Sequence, residues 1–149
     1  MNLAVRKRTG VLMAEFRITI RKTERPFKND FDQEFAYICK TLNLCESSGK
    51  EKPTVMVFRE IVMATEKNGK GISSTQISKT MQISRGAAIN HLNNLQQSGL
   101  VVKQGRQYLA RSKSMQRMMG ELEKDVERIF NELKETAKRM DKEFGIEED

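Results

Sequence analysis

The stretch that decides the fold is residues 81–111, MQISRGAAINHLNNLQQSGLVVKQGRQYLAR. Ser84 is a residue type that caps helix N-termini. On a helical wheel, three apolar side chains after it share one side: Ala88, Leu92 and Leu95. The opposite side carries small and amide side chains: Gly86, Ala87, Asn90, Asn94 and Gln97. This pattern predicts a helix over 85–97 with one packed side and one short, polar side.

A second helix and a hairpin flank this predicted helix. Gly99 ends it, and the runs LVVK and YLAR then flank a Gln104-Gly105 turn, which is the layout of a tight β-hairpin. Upstream, Ser73 or Ser74 caps a shorter helix. The apolar residues expected to be buried there are Ile72, Ile77, Met81 and Ile83. The predicted order is therefore helix, tight turn, helix, hairpin.

The first third of the chain predicts two further helices. The Asn29-Asp30 pair offers an N-cap for a helix that reaches about Leu44, and a second helix runs from about Thr54 to the Asn68-Gly69 pair. The polar loop ESSGKEKP separates them. Residues 15–21, EFRITIR, alternate apolar and polar side chains and predict a half-buried strand, with a short amphipathic helix as the alternative.

The carboxyl-terminal segment predicts one long helix from Ser112 to about Phe144, roughly 50 Å long at 1.5 Å per residue. Its apolar residues follow a heptad pattern in two registers: Met119, Val126, Leu133 and Met140, and Met115, Leu122, Ile129 and Thr136. A helix of this length exceeds what one small domain covers. We therefore expect the stripe to pair two subunits, with folding back onto the first two helices of the same chain as the alternative.

Charge is segregated along the 149-residue chain, whose net charge is +7. Residues 67–120 contain no Asp or Glu, whereas residues 121–149 hold eleven acids and six bases. The bases of the acid-free segment are Lys67, Lys70, Lys79, Arg85, Lys103, Arg106, Arg111, Lys113 and Arg117. Such a segment approaches a polyanion without like-charge repulsion, which favours a nucleic-acid partner.

Specific residues in this segment suit a DNA duplex. Small side chains let a helix backbone lie deep in the major groove, and Asn or Gln amides pair with adenine edges. Arg85 would reach a base or a phosphate, and Arg106 at the hairpin tip would touch the backbone or the minor groove. The predicted DNA contacts are Ser74, Thr75, Ser84, Arg85, Gly86, Ala87, Asn90, His91, Asn94, Lys103, Arg106 and Arg111. An amide-rich side is also often only solvated, and His91 also fits a partly buried histidine.

Residues 72–111, ISSTQISKTMQISRGAAINHLNNLQQSGLVVKQGRQYLAR, resemble the winged helix of the multiple-antibiotic-resistance (MarR) and arsenical-resistance (ArsR) types of transcriptional regulator. The matching features are Ile77-Ser78, Ile83-Ser84-Arg85, His91-Leu92, Leu95 and Ser98-Gly99-Leu100-Val101. The chain departs from the family at Gln82, where glycine is common, and in lacking the cysteine pair of the metal-sensing members. The resemblance implies a dimeric DNA-binding repressor, and it leaves open a small-molecule effector that the residues themselves do not indicate.

The sequence contains no pattern typical of an enzyme, so we expect no catalytic residues, no metal site and no cofactor. Cys39 and Cys45 are interpreted as reduced thiols, with a redox switch as the alternative. No run approaches a membrane span, and the apolar run VLMA after the basic start is too short for a secretory signal. We expect a cytoplasmic protein without a membrane partner; Met13 is an alternative start.

Together these patterns predict a mainly α chain with a small β-hairpin wing: a winged helix-turn-helix with a long C-terminal dimerisation helix. Its predicted parts are a basic N-terminal arm or strand (1–28), the DNA-binding domain (29–111) and a coiled-coil dimerisation helix (112–149). The predicted pairing residues are Met115, Met119, Leu122, Val126, Ile129, Leu133 and Met140. The predicted function is sequence-specific transcriptional regulation of double-stranded DNA as a homodimer. A winged-helix module for protein interaction or RNA binding is the alternative.

Overall fold

The computed structural model describes residues 17–44 and 53–146. Its elements in chain order are α1 (Phe31–Thr41), α2 (Pro53–Asn68), β1 (Ile72–Ser73), α3 (Ser74–Met81), α4 (Arg85–Gln97), β2 (Val101–Gln104), β3 (Gln107–Ala110) and α5 (Met115–Glu143). The described chain is mainly helical, with a small antiparallel sheet in the strand order β1-β3-β2. None of the helices in these ranges is long and apolar enough to cross a membrane.

Side-chain caps fix where the helices begin. The Asp30 carboxylate accepts a hydrogen bond from the backbone N–H of Gln33 at 2.8 Å, and the Ser84 hydroxyl accepts one from the backbone N–H of Ala87 at 3.1 Å. Ser73 forms a reciprocal capping box with Gln76 at the start of α3. The predicted caps at Asp30, Ser73 and Ser84 are thus confirmed, and α4 has the bounds that the sequence predicts.

The core forms around α2, which presents Val57, Phe58 and Ile61 to the other helices. The remaining fully buried large residues are Cys39, Ile77, Leu92, Leu95, Leu100 and Met118. Buried Thr65 ties α2 to the sheet, because its hydroxyl donates to the Ile61 carbonyl at 2.7 Å and accepts from the Ala110 amide at 2.9 Å. The orientation of the sheet on α2 is therefore set by a polar contact as well as by packing.

The sheet contains a strand that the sequence patterns did not predict. β1 pairs with β3 through Ile72 opposite Tyr108. Gly71 precedes it with φ +80°, and a Cβ atom at Gly71 would lie 2.1 Å from the Tyr108 carbonyl oxygen. Only glycine allows this close approach of the two backbones. The hairpin turn also lies one residue later than predicted, at Gly105-Arg106, because Gln104 pairs with Gln107 inside the ladder.

The segment from Arg17 to Arg21 is not a strand, so the strand prediction over 15–21 is wrong for its described part. Two isolated backbone hydrogen bonds hold it instead, from the Arg17 amide to the Gln97 carbonyl and from the Arg21 amide to the Thr41 carbonyl, each 2.8 Å long. Ile18 packs against the core while Ile20 is exposed. The rest of the predicted N-terminal arm, residues 1–16, lies outside the described residues, as does Cys45.

Helix α5 has two parts. Its first turns belong to the core, where Met118 and Leu122 are buried. Every residue from Asn131 to Met140 is exposed, so the distal part extends away from the body. A glycine at φ +73°, Gly145, ends the helix. The core of the described residues therefore includes the start of α5.

Candidate nucleic-acid interface

The turn between α3 and α4 sets the relative position of these helices. Gln82 ends α3 in the left-handed conformation (φ 55°, ψ 45°). This backbone conformation costs free energy for a residue other than glycine. The Ser78 hydroxyl donates to the Ile83 carbonyl at 2.6 Å, and the Ile83 amide donates to the Ser78 carbonyl at 3.1 Å. These two bonds hold the short turn closed.

Helix α4 buries one side and exposes the other. Ala88, Leu92 and Leu95 are fully buried, whereas Gly86 and Asn90 are exposed. Asn93 and Asn94 are exposed on the same side, and Asn93 is a residue that the sequence reasoning missed although its wheel position is available from the sequence. The asparagine side chains on this side form no hydrogen bond within the described residues. Their donors and acceptors are thus available to a ligand or to water.

The ends of the two helices carry the other predicted contacts. Arg85 is exposed in the first turn of α4, beside the exposed cap Ser84, and Ala87 is half-buried. At the start of α3, Thr75 is exposed and Ser74 is half-buried. The backbone N–H groups of a helix's first turn lack partners within the helix and attract anions. The structure therefore exposes Ser84, Arg85 and Thr75 at two positively polarised helix ends.

The hairpin presents two cations near its turn. Arg106 occupies the tip and is exposed. Lys103 is also exposed, and its ammonium nitrogen lies 5.5 Å from the centre of the Tyr108 ring, so that the aromatic face supports the cation. The tip itself is open, with nothing within 4 Å of where a Cβ atom of Gly105 would lie. An extended anion can therefore approach this turn without displacing protein atoms.

Two predicted contacts point into the protein instead. The Arg111 guanidinium forms ion pairs with Asp125 and, at 3.5 Å, with Glu121, and it donates to the Gly99 carbonyl at 3.4 Å. His91 is half-buried, and its Nδ1 lies 2.9 Å from the hydroxyl oxygen of Thr54 on α2. Arg111 thus fastens the hairpin to α5, and His91 fastens α4 to α2; neither is displayed on the exposed side of α4 or at the hairpin tip.

The other bases of the acid-free segment are all exposed: Lys67, Lys70, Lys79, Arg85, Lys103, Arg106, Lys113 and Arg117. Within residues 17–44 and 53–146, none of these eight forms an ion pair. Ion pairs within the described part of the protein therefore do not neutralise their charge, and four of them lie on α3, α4 and the hairpin: Lys79, Arg85, Lys103 and Arg106. These four favour a positive potential at that surface.

The predicted pairing residues divide between the body and the distal helix. Leu122 is buried in the core of its own chain, and Met115 and Met119 pack against that core. Val126 and Ile129 are half-buried, while Leu133 and Met140 are exposed. Phe130 and Phe144 are also exposed on the distal helix, although the heptad pattern did not include them. The stripe is thus exposed only from Phe130 onward.

The described ranges contain no group of three His, Cys, Asp or Glu side chains placed to hold a metal ion. No family model matches the chain, and neither a curated protein nor a solved structure matches it. The geometry and charge of this surface are therefore the features that bear on function.

Proposed function

We propose that the protein is a sequence-specific, DNA-binding transcriptional regulator of the winged helix-turn-helix type, acting as a homodimer. In this proposal α4 is the recognition helix in the major groove, and the β2–β3 hairpin is the wing on the phosphate backbone or in the minor groove. Repression is favoured over activation through the resemblance to MarR- and ArsR-type regulators.

The observation that carries the proposal is the exposed side of α4. The side chains of Asn90, Asn93 and Asn94 form no hydrogen bond within the described residues. The helix lies in the segment 67–120, which contains no Asp or Glu. An α-helix fits the major groove, and a bidentate asparagine amide matches the N6 and N7 atoms of adenine. Asn90 and Asn94 are one turn apart, about 6 Å along the axis, which is close to two base-pair steps of about 3.4 Å each.

The cations supply affinity while the amides supply sequence preference. Arg85 begins the recognition helix and Arg106 lies at the hairpin tip; both are exposed, and the proposal assigns each of them a phosphate contact. Each phosphate contact releases condensed counterions from the duplex. Binding by this surface must therefore weaken steeply as salt rises.

The experiment is a salt titration of duplex binding by the wild type and by the Arg85→Ala/Arg106→Ala variant. Each lost phosphate contact reduces the magnitude of the negative slope of log affinity against log salt by about 0.9. A dimer loses two contacts per protomer, four in all, so its slope should become shallower by about 3.6. The matched control is Lys124→Ala/Lys138→Ala, which removes two exposed cations from α5 and should leave the slope unchanged. An unchanged slope in the Arg85/Arg106 variant would disprove this interface.

One observation favours the alternative function. Arg85 is the only cation on α4, which is a small basic contribution for a helix in a DNA groove. A winged helix that docks a protein or binds RNA would account for the same surface. In the titration such a module barely binds duplex DNA at any salt concentration, whereas a DNA regulator binds strongly in dilute buffer.

A further inference from the structure

The distal part of α5 carries an apolar stripe that is half-buried at its start and exposed from Phe130 to Met140. The stripe consists of Val126, Ile129, Phe130, Leu133, Ala137, Met140 and Phe144, at the spacing of one helix side. Phe130, Leu133, Met140 and Phe144 are each more than half exposed. The helix is polar on its other sides from residue 127 onward, so this stripe is a contact surface for another helix rather than a solvated face.

Charged residues beside the stripe discriminate between the two orientations of a helix pair. In the heptad with Val126, Leu133 and Met140 at position a, Glu132 and Arg139 occupy g, and Phe130, Ala137 and Phe144 occupy e. In a parallel pair, g residues face e residues of the partner, so Glu132 would face alanine and Arg139 would face phenylalanine. Neither charge would then find an opposite charge.

In an antiparallel pair, g faces g and e faces e. Centring the pair between Lys134 and Glu135 offsets Glu132 from Arg139 of the partner subunit by two residues, about 3 Å along the axis, which two long side chains can span. Symmetry forms this ion pair twice. The same register places Phe130 beside Ala137 of the partner subunit. Glu132 and Arg139 are two turns apart, about 10 Å along the axis, so they do not satisfy each other within one chain. Glu132 has no ion pair within the described residues.

We infer that the occupant of this stripe is a second copy of the chain, whose distal α5 pairs antiparallel in the register that aligns Glu132 with Arg139. This inference rests on the homodimer of the proposed function and specifies its geometry. It places the two bodies at opposite ends of the helix pair. Val126 then faces Glu143 of the partner subunit, whereas the two Val126 residues are about 25 Å apart along the axis.

Disulfide trapping tests the orientation. In the full chain with Cys39→Ala and Cys45→Ser, equal amounts of Val126→Cys and Glu143→Cys variants are mixed and oxidised. Antiparallel pairing gives the mixed 126–143 disulfide and leaves Val126→Cys alone without a covalent dimer. A covalent dimer of Val126→Cys alone is the parallel result and overturns the inference. A chain that stays monomeric in solution scattering overturns both the inference and the homodimer of the proposed function.

Charge reversal tests the register in the chain with its native cysteines. Glu132→Arg and Arg139→Glu each replace two attractive pairs by two repulsive ones, and each should raise the dimer dissociation constant about tenfold. The doubly reversed chain restores opposite charges and should return to within about threefold of the wild type.

The matched controls for charge reversal are Glu127→Arg and Lys138→Glu. These make the same charge changes on the exposed side of α5 away from the stripe and should leave dimerisation unchanged. If the two single reversals weaken dimerisation additively in the doubly reversed chain, with no recovery of the dissociation constant, the proposed register is wrong. Duplex binding by α4 is measured separately, so a failed register does not by itself decide whether the protein reads DNA.

Discussion

The link between the hairpin and α5 gives the sharpest stability prediction. Asp125 is buried, with a side chain only 9% exposed, and it pairs with both Arg111 and Arg128. Asp125→Ala removes the carboxylate and leaves the Arg111 guanidinium, which is 22% exposed, facing an apolar methyl group. Breaking a buried ion pair from one side costs about 3–5 kcal/mol. Arg111 keeps the Gly99 carbonyl and Glu121 as partners, so we expect a loss of about 2–3 kcal/mol.

The assay is urea unfolding at one fixed protein concentration, because the stability of the proposed dimer would depend on concentration. Glu123→Ala, at an exposed position two residues before Asp125, is the matched control and should change the free energy of unfolding by less than about 0.5 kcal/mol. The double variant Arg111→Met/Asp125→Leu removes both buried charges and should recover most of the loss. An Asp125→Ala variant as stable as the Glu123→Ala control would refute the structural role assigned to Arg111.

Three further predictions concern α4, the turn and the sheet. Asn94→Ala should reduce the preference for a selected duplex over a scrambled one by about 1–3 kcal/mol in competition binding, with scrambled-duplex affinity unchanged; an equal loss on both duplexes would contradict base reading. Gln82→Gly should raise the free energy of unfolding by about 0.5–1 kcal/mol, since glycine adopts φ 55° without the steric cost; a destabilised variant would show that Gln82 is not strained. Gly71→Ala should lower the free energy of unfolding by at least about 2 kcal/mol, measured by thermal or urea unfolding, because its methyl group would meet the Tyr108 carbonyl. Gly105→Ala has a similar φ but open space around it, so its free energy of unfolding should fall by less. If both alanine variants lost the same free energy of unfolding, the positive φ alone would account for the cost, and the close approach of Gly71 to Tyr108 would contribute nothing.

Local signals in the sequence were sufficient for the helices. Ser84 before α4 and Gly99 after it are position-specific capping residues, which is why the bounds 85–97 were predicted without error. Asp30 and Ser73 likewise mark where α1 and α3 begin, whereas α1 ends at Thr41, before the predicted end at about Leu44. The small sheet was only partly predictable, since β1 has two residues, too few to show an alternating pattern, and only the adjacent Gly71 signals the close approach.

Features that depend on a partner segment were not predictable. The alternation in residues 15–21 has the period of a strand, but the described residues provide no neighbouring strand to complete it, so Arg17–Arg21 takes two isolated backbone bonds instead. The hairpin turn was predicted one residue too early, at Gln104-Gly105. Only the strand pairing in the structure shows that Gln104 lies opposite Gln107. A sequence pattern states what a segment can pair with, not what it does pair with.

The candidate site shows the same limit for charge. Arg106 and Arg111 are both arginines of the acid-free segment, yet the first is exposed and the second is held by Asp125. Asp125 is fourteen residues further along the chain, in the segment that holds eleven acids and six bases, and its contact with Arg111 is not visible from that spacing. The heptad stripe similarly could not show that Leu122 is covered by its own chain, because apolar periodicity does not identify the covering surface.

Because Met118 and Leu122 are buried by their own chain, a separated protomer keeps its core and exposes only the distal helix. In the proposed dimer, folding and association would then be separable equilibria, and dilution below the dimer dissociation constant would give intact single protomers. Two adjacent half-sites would act as a template that raises the local concentration of the second protomer, so occupancy of such a site would rise cooperatively with protein concentration.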